Sequence, residues 1–210
     1  MADSTLFPAP SDVPDRLLVL MADIFPTGFF GARNAFKEFT PQQASEATVV
    51  VLGCGPVGLC ALVNAFDYKP KNVFAVDAVD SRLALAKKLG AEPLNFKTDE
   101  EGLKKRVKDA TGGRGADAVI EVVGLTPALR LAFDLVRPWG VISSIGVHND
   151  TVKLAKCQHP SHLILTRLQI PWTAKEGYGK NLRFQQGRCP VRSIFPEALE
   201  SLRKHHHQLE

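Results

Sequence analysis

The hexapeptide Gly53-Cys54-Gly55-Pro56-Val57-Gly58 has the G-x-G-x-x-G spacing that lets a backbone wrap around a phosphate. Each glycine answers a different steric demand. Gly53 turns the chain sharply out of a strand. Gly55, without a Cβ, lets a pyrophosphate reach the backbone. Gly58 lets the following helix pack closely against the sheet. That helix, expected from Val57 to Asp67, offers unpaired N–H groups and the positive end of its dipole to an anion. Gly53, Gly55, Pro56, Val57 and Gly58 are therefore the candidate phosphate contacts.

Asp77 is the second chemical landmark. It closes the next apolar run, where a carboxylate accepts hydrogen bonds from both hydroxyls of an adenosine ribose. An anion there also repels a 2′-phosphate, so the expected cofactor is NAD rather than NADP. Arg82 either closes over the adenosine or is a solvated helix residue. Ser81 is either the cap of that helix or a ligand. S-adenosylmethionine methyltransferases also carry an acid after their second strand. Their turn usually reads G-x-G-x-G, so the third glycine at this spacing favours the dinucleotide.

A glycine triplet is informative only between a buried strand and a helix. Thr48-Val49-Val50-Val51-Leu52 supplies the strand, a short β-branched run of the kind buried on both faces of a parallel sheet. Further strands are expected at Asn72–Val76, Ala118–Val123 and Gly140–Ile145. Helices are expected at Ser81–Leu89, closed by Gly90, at Glu100–Asp109, stopped by Gly112-Gly113, and at Pro127–Leu135. Strands alternating with helices imply βαβ units and a doubly wound parallel sheet of the Rossmann type, class α/β. Before this core, Pro8, Pro10 and Pro14 predict an extended start. The apolar run Arg16–Phe25 is expected to stop at Pro26, with a helix from about Thr27 to Phe39.

The 210 residues are 45% hydrophobic and 23% charged, an ordinary globular balance that excludes collagen-like and disordered chains. No apolar run approaches the roughly 18 residues of a membrane span. The start Met1-Ala2-Asp3-Ser4 has neither the basic nor the apolar part of a secretory signal. The net charge of +4 is too small to argue for nucleic acid. Cys54, Cys60, Cys157 and Cys189 form no CxxC pair, which argues against a zinc knuckle and fits a reducing, cytoplasmic setting.

Several segments together resemble the medium-chain zinc-dependent alcohol dehydrogenase family. Val51 to Leu59 is similar to its coenzyme turn, and Val76-Asp77 with Ser81 to Ala91 to its second βα unit. Thr111 to Gly124 resembles the family's fourth strand, and Arg137 to Ile142 with Ile145-Gly146-Val147 its fifth. Asp23-Ile24-Phe25-Pro26-Thr27-Gly28 and Gly187 to Ser193 resemble the branch related to glutathione-independent formaldehyde dehydrogenase and its fungal relatives. The resemblance implies that Asp23 gives a carboxylate to the catalytic zinc and that Thr27 stands beside the nicotinamide. It also implies that Val123, Gly146 and Val147 line the coenzyme groove. Read without the family, Asp23 is a capping or turn aspartate.

The chain departs from that family in two respects. Zinc as a Lewis acid needs about three protein ligands, and only Asp23 matches one. Residues 1–47 then read as a remnant of a GroES-like catalytic domain and 48–209 as the NAD-binding domain, so that the chain looks truncated. Residues 150–169 read as an atypical insertion. They carry Cys157, His159 and His162, which are read as incidental ligands in a loop. The sequon Asn149-Asp150-Thr151 is discounted. His205, His206 and His207 read as a charged helix tail, and Lys104, Lys105, Arg106 and Lys108 as a solvated helix face. The expected partners are a small alcohol or aldehyde, and a second copy through an exposed strand near Leu182–Gln185. Two functions remain open: an NAD-dependent oxidoreductase, or an NAD-binding module without turnover.

Overall fold

The computed structural model describes residues 6–148 and 170–209. The cluster Cys157, His159 and His162, the sequon and the suspected insertion lie outside these residues. Six parallel strands form one sheet: β1 (Thr48–Leu52), β2 (Asn72–Asp77), β3 (Glu92–Asn95), β4 (Ala116–Glu121), β5 (Val136–Ser144) and β6 (Arg183–Gln186). Their order is β3-β2-β1-β4-β5-β6. The chain runs outward from β1 to one edge, returns, and runs to the other. The reversal leaves a crevice between β1 and β4 at the carboxyl ends of the strands, the place where such sheets bind ligands.

β1 is buried at every position because helices cover both faces. On one side α2 (Ile24–Phe36) and α4 (Pro56–Phe66) share a cluster with Val49, Val51, Ala75 and Ile120. On the other, α6 (Glu100–Ala110) and α7 (Thr126–Leu135) enclose Val50, Leu52, Val119 and Ile142. The remaining helices are α1 (Asp15–Leu18), α3 (Pro41–Glu46), α5 (Asp80–Lys88), α8 (Ala174–Lys180) and α9 (Val191–His205). No helix among the described residues is long and apolar enough to cross a membrane.

The sheet carries the βα pattern expected from the sequence, with instructive shifts. Pro26 does not end an element; it sits in the first turn of α2, where a missing N–H leaves no bond unmade. α2 consequently starts at Ile24 and ends at Phe36, earlier than expected at both ends. β3 was not expected. It is polar, and its Pro93 is tolerated because the strand is an edge. β4 ends at Glu121 rather than Val123, because the Glu121 carboxylate draws the N–H groups of Val123 and Gly124 into a turn. β5 begins early, at Val136, and passes through an irregularity at the exposed Trp139, whose φ is +61°. Ser81 does not cap α5: its cap position is Val79 and no side chain bonds there.

The expected exposed strand is β6, at the edge opposite β3. His205 ends α9 as a buried residue, its Nε2 2.9 Å from Asp67 Oδ2, while His206 and His207 begin a short 3-10 turn. Three basic residues of α6 pair with acids: Lys104 with Glu100, Lys105 with Asp109 and Arg106 with Glu92.

Candidate functional site

The glycine turn joins β1 to α4, and its three glycines do separable work. Gly53 has φ +96°, and a Cβ there would press on Val122 and Val123 at 2.9 and 2.8 Å. A Cβ on Gly58 would collide with the Gly53 carbonyl oxygen. These two glycines let the helix close down on the strand exit. Gly55 differs: a Cβ there meets nothing within 4 Å. Packing does not require a glycine at that position. The vacancy lies at the N-cap of α4, where the first-turn N–H groups have no partners in the helix, and Pro56 follows as a favoured first residue.

Asp77, at the end of β2, is almost fully buried. Its Oδ2 accepts the Cys54 N–H at 2.8 Å, and its Oδ1 accepts those of Ala78 and Val79 at 2.7 and 2.9 Å. Arg82 Nη1 lies 3.7 Å from Oδ2. Burial pushes the pKa of this carboxyl up, but the three N–H donors and the Arg82 guanidinium outweigh it and hold the group below its ordinary value. Asp77 is thus an anion locked to the glycine turn through Cys54. Three of its roughly four acceptor positions are filled, which leaves one for an incoming donor rather than the two ribose bonds expected from the sequence. The Cys54 thiol is pushed up to about 12, first by burial and then by the Asp77 charge, so it is no nucleophile.

These groups open on a cavity of about 800 Å³ over the carboxyl ends of the strands. Gly53, Gly55, Pro56, Val57, Gly58, Asp77, Arg82 and Val123 all line it. Its outer wall brings in residues the sequence reading did not single out: Phe96 after β3, Glu100 on α6, Leu125, and Arg130 on α7. Arg130 is anchored by Asp134 and Glu176, which ties α8 to this wall. Gly146 and Val147 do not line the cavity; they follow β5, and Val147 is exposed. A Cβ on Gly146 would strike the Gly124 backbone, so the exits of β4 and β5 touch there.

Asp23 and Thr27 stand at the start of α2. The Thr27 hydroxyl donates to Asp23 Oδ1 at 3.0 Å. Asp23 occupies the N-cap position, yet its side chain accepts no capping bond from the backbone. Cys189, in the segment before α9, completes this corner. Burial drives its thiol up to about 11, with the Thr27 hydroxyl lowering it and the Asp23 charge raising it. Among the described residues no group of three or more His, Cys, Asp or Glu side chains could hold a metal ion.

A doubly wound parallel sheet, a glycine turn at the first strand and an acid at the second define a Rossmann-type nucleotide-binding domain. Residues 56–175 match the family model described as zinc-binding dehydrogenase. The chain belongs to this zinc-binding dehydrogenase family. It is 60% identical over 208 residues to zinc-type alcohol dehydrogenase B of Aspergillus flavus, covering 99% of this chain and 44% of that protein. It is 59% identical over 152 residues to medium chain reductase/dehydrogenase ucsI of Acremonium sp, covering 72% of this chain and 52% of that one. Among solved structures, alcohol dehydrogenase TADH from Thermus sp. ATN1 is similar with a TM-score of 0.77 and 28% identity, over 94% of this chain and 50% of that one. The chain therefore spans about half the length of the relatives it matches.

Proposed function

We propose that this chain is the NAD(H)-binding part of a zinc-type alcohol dehydrogenase. The adenosine ribose would be held by Asp77, with Arg82 over it, and the pyrophosphate by the turn Gly53 to Gly58. The other nucleotide would lie toward Val123, Gly146 and Val147. The observation that carries this reading is the open space at Gly55, beside two glycines that packing does require. A bound NAD supplies a carbon that accepts a hydride from an alcohol or returns it to an aldehyde. This chain's residues bind and orient: the α4 N-terminus faces the phosphates, and Asp77 reads the ribose and repels a 2′-phosphate. Thr27 is the residue proposed to stand at the nicotinamide, and Asp23 the one proposed for zinc.

Zinc does not fit the described residues on their own. One carboxylate already bonded to Thr27, with no further pair of ligands converging on it, falls short of the three protein ligands a catalytic zinc needs. No step is therefore derived through the metal. This shortage favours a second reading, a coenzyme-binding module without turnover by this chain alone.

Calorimetric titration with NADH and NADPH tests the coenzyme reading. NADH should bind more tightly, and Asp77→Ala should weaken NADH about 10-fold or more while narrowing the gap to NADPH. Affinities unchanged by Asp77→Ala would refute the site. Metal analysis and NADH formation with simple alcohols separate the two readings. About one zinc per chain with turnover supports the dehydrogenase; coenzyme binding without either supports the module.

A further inference from the structure

Glu121 is the last residue of β4 and is wholly buried. A carboxylate removed from water must have its lone pairs filled. Here both oxygens are engaged. Oε1 accepts the N–H groups of Val123 and Gly124, each at 2.7 Å. Oε2 accepts the Ser144 hydroxyl at 2.7 Å and lies 3.3 Å from His148 Nε2. Ser144 gives its one proton to Glu121, so its 3.0 Å contact with His148 requires Nε2–H as the donor. The main chain of Glu121 adds to this: its carbonyl accepts from Ile145 and Gly146 at 2.9 and 3.3 Å.

One residue thus grips two strand exits. Val122 to Gly124 leave β4, and Ile145 to His148 leave β5. The exits are packed to backbone contact, since a Cβ on Gly124 would strike the Val147 carbonyl. Yet Glu121 does not line the cavity, whereas Val123, whose N–H it holds, does. The sheet order places this pair of exits on the far side of β1 from Asp77. A dinucleotide with its ribose at Asp77 and its pyrophosphate at the glycine turn would carry its second nucleotide across them.

We propose that Glu121, with Ser144 and His148 as its partners, is a positioning residue for the nicotinamide half of the coenzyme. It sets the spacing between Val123 and the Gly146-Val147 segment without touching the ligand. The inference rests on the coenzyme reading above.

The test is calorimetric titration of the full chain with NADH and with ADP-ribose, which carries the adenosine half and the pyrophosphate but no nicotinamide. Glu121→Gln keeps the shape and removes the charge. It should weaken NADH about 10-fold relative to ADP-ribose. Ser144→Ala removes one donor and should shift the same ratio by about threefold; it also decides the matter if Glu121→Gln does not fold. A purely structural Glu121 would weaken both ligands equally or neither, and either result overturns the proposal. If the unaltered chain binds neither ligand, the coenzyme reading falls and takes this inference with it. If it binds both and the ratio stays constant in the variants, only the positioning role falls.

Discussion

The glycine turn with Asp77 and the corner of Asp23, Thr27 and Cys189 are built in opposite ways. The first is made mostly of backbone. Its donors and steric gaps belong to β1, the start of α4 and the exit of β2, all set by a buried parallel sheet, and its one charge is pinned by three N–H groups. The second is made of side chains from separate parts of the chain, joined by a hydroxyl–carboxylate bond at α2 and a thiol arriving just before α9. The glycine turn and Asp77, the groups proposed to hold the coenzyme, are positioned by the sheet itself. The corner offers too few donors, among the described residues, to assemble a metal centre.

That contrast can be broken most sharply at the glycines. Gly58→Val should cost about 1–3 kcal/mol or more, because its Cβ meets the rigid Gly53 carbonyl, and should abolish coenzyme binding with it. Thermal unfolding and titration would show both losses together. Gly55→Trp should leave the melting temperature nearly unchanged, since the added atoms enter open space, yet remove NADH binding. Loss of stability at Gly55 equal to that at Gly58 would show that the vacancy is not a ligand site.

Asp77 gives an intermediate effect with a defined pH sign. Its folded value lies below the ordinary 3.8, so its charged bonds stabilise the fold fully above that value. The contribution is lost as pH falls through the depressed folded value. Asp77→Asn should cost about 1–3 kcal/mol at neutral pH and make the acid limb of the unfolding curve shallower. A parallel acid limb in both proteins would mean that the three N–H bonds do not favour the charged form. The smallest effect is expected at the corner. Thr27→Ala should change stability by about 0.5 kcal/mol or less and leave ADP-ribose affinity unaltered, as measured by denaturant unfolding and calorimetry.

The same contrast governs what the sequence revealed. The β-branched run at Thr48–Leu52, the glycine spacing and Asp77 are contiguous signals, and the structure assembles them as the motif requires. β3 was silent because an edge strand tolerates Pro93 and partial exposure, so it lacks an apolar run. The end of β4 was misplaced because Val122 and Val123 look like more strand. The warning was a lone glutamate inside an apolar stretch, which here closes the strand instead of facing solvent. Phe96, Glu100 and Arg130 reach the cavity from elements whose neighbours only the sheet order reveals. The contact of Cys189 with Thr27 depends on how α9 packs beside α2, and no local pattern encodes that.

The central claim is that the space over Gly55 is kept for a dinucleotide pyrophosphate. Its most direct test is calorimetric titration of NADH into the full chain and into Gly55→Trp, both verified as folded by their melting temperatures. One NADH should bind per unaltered chain, with no detectable heat of binding in the variant. Equal binding by both proteins would contradict it.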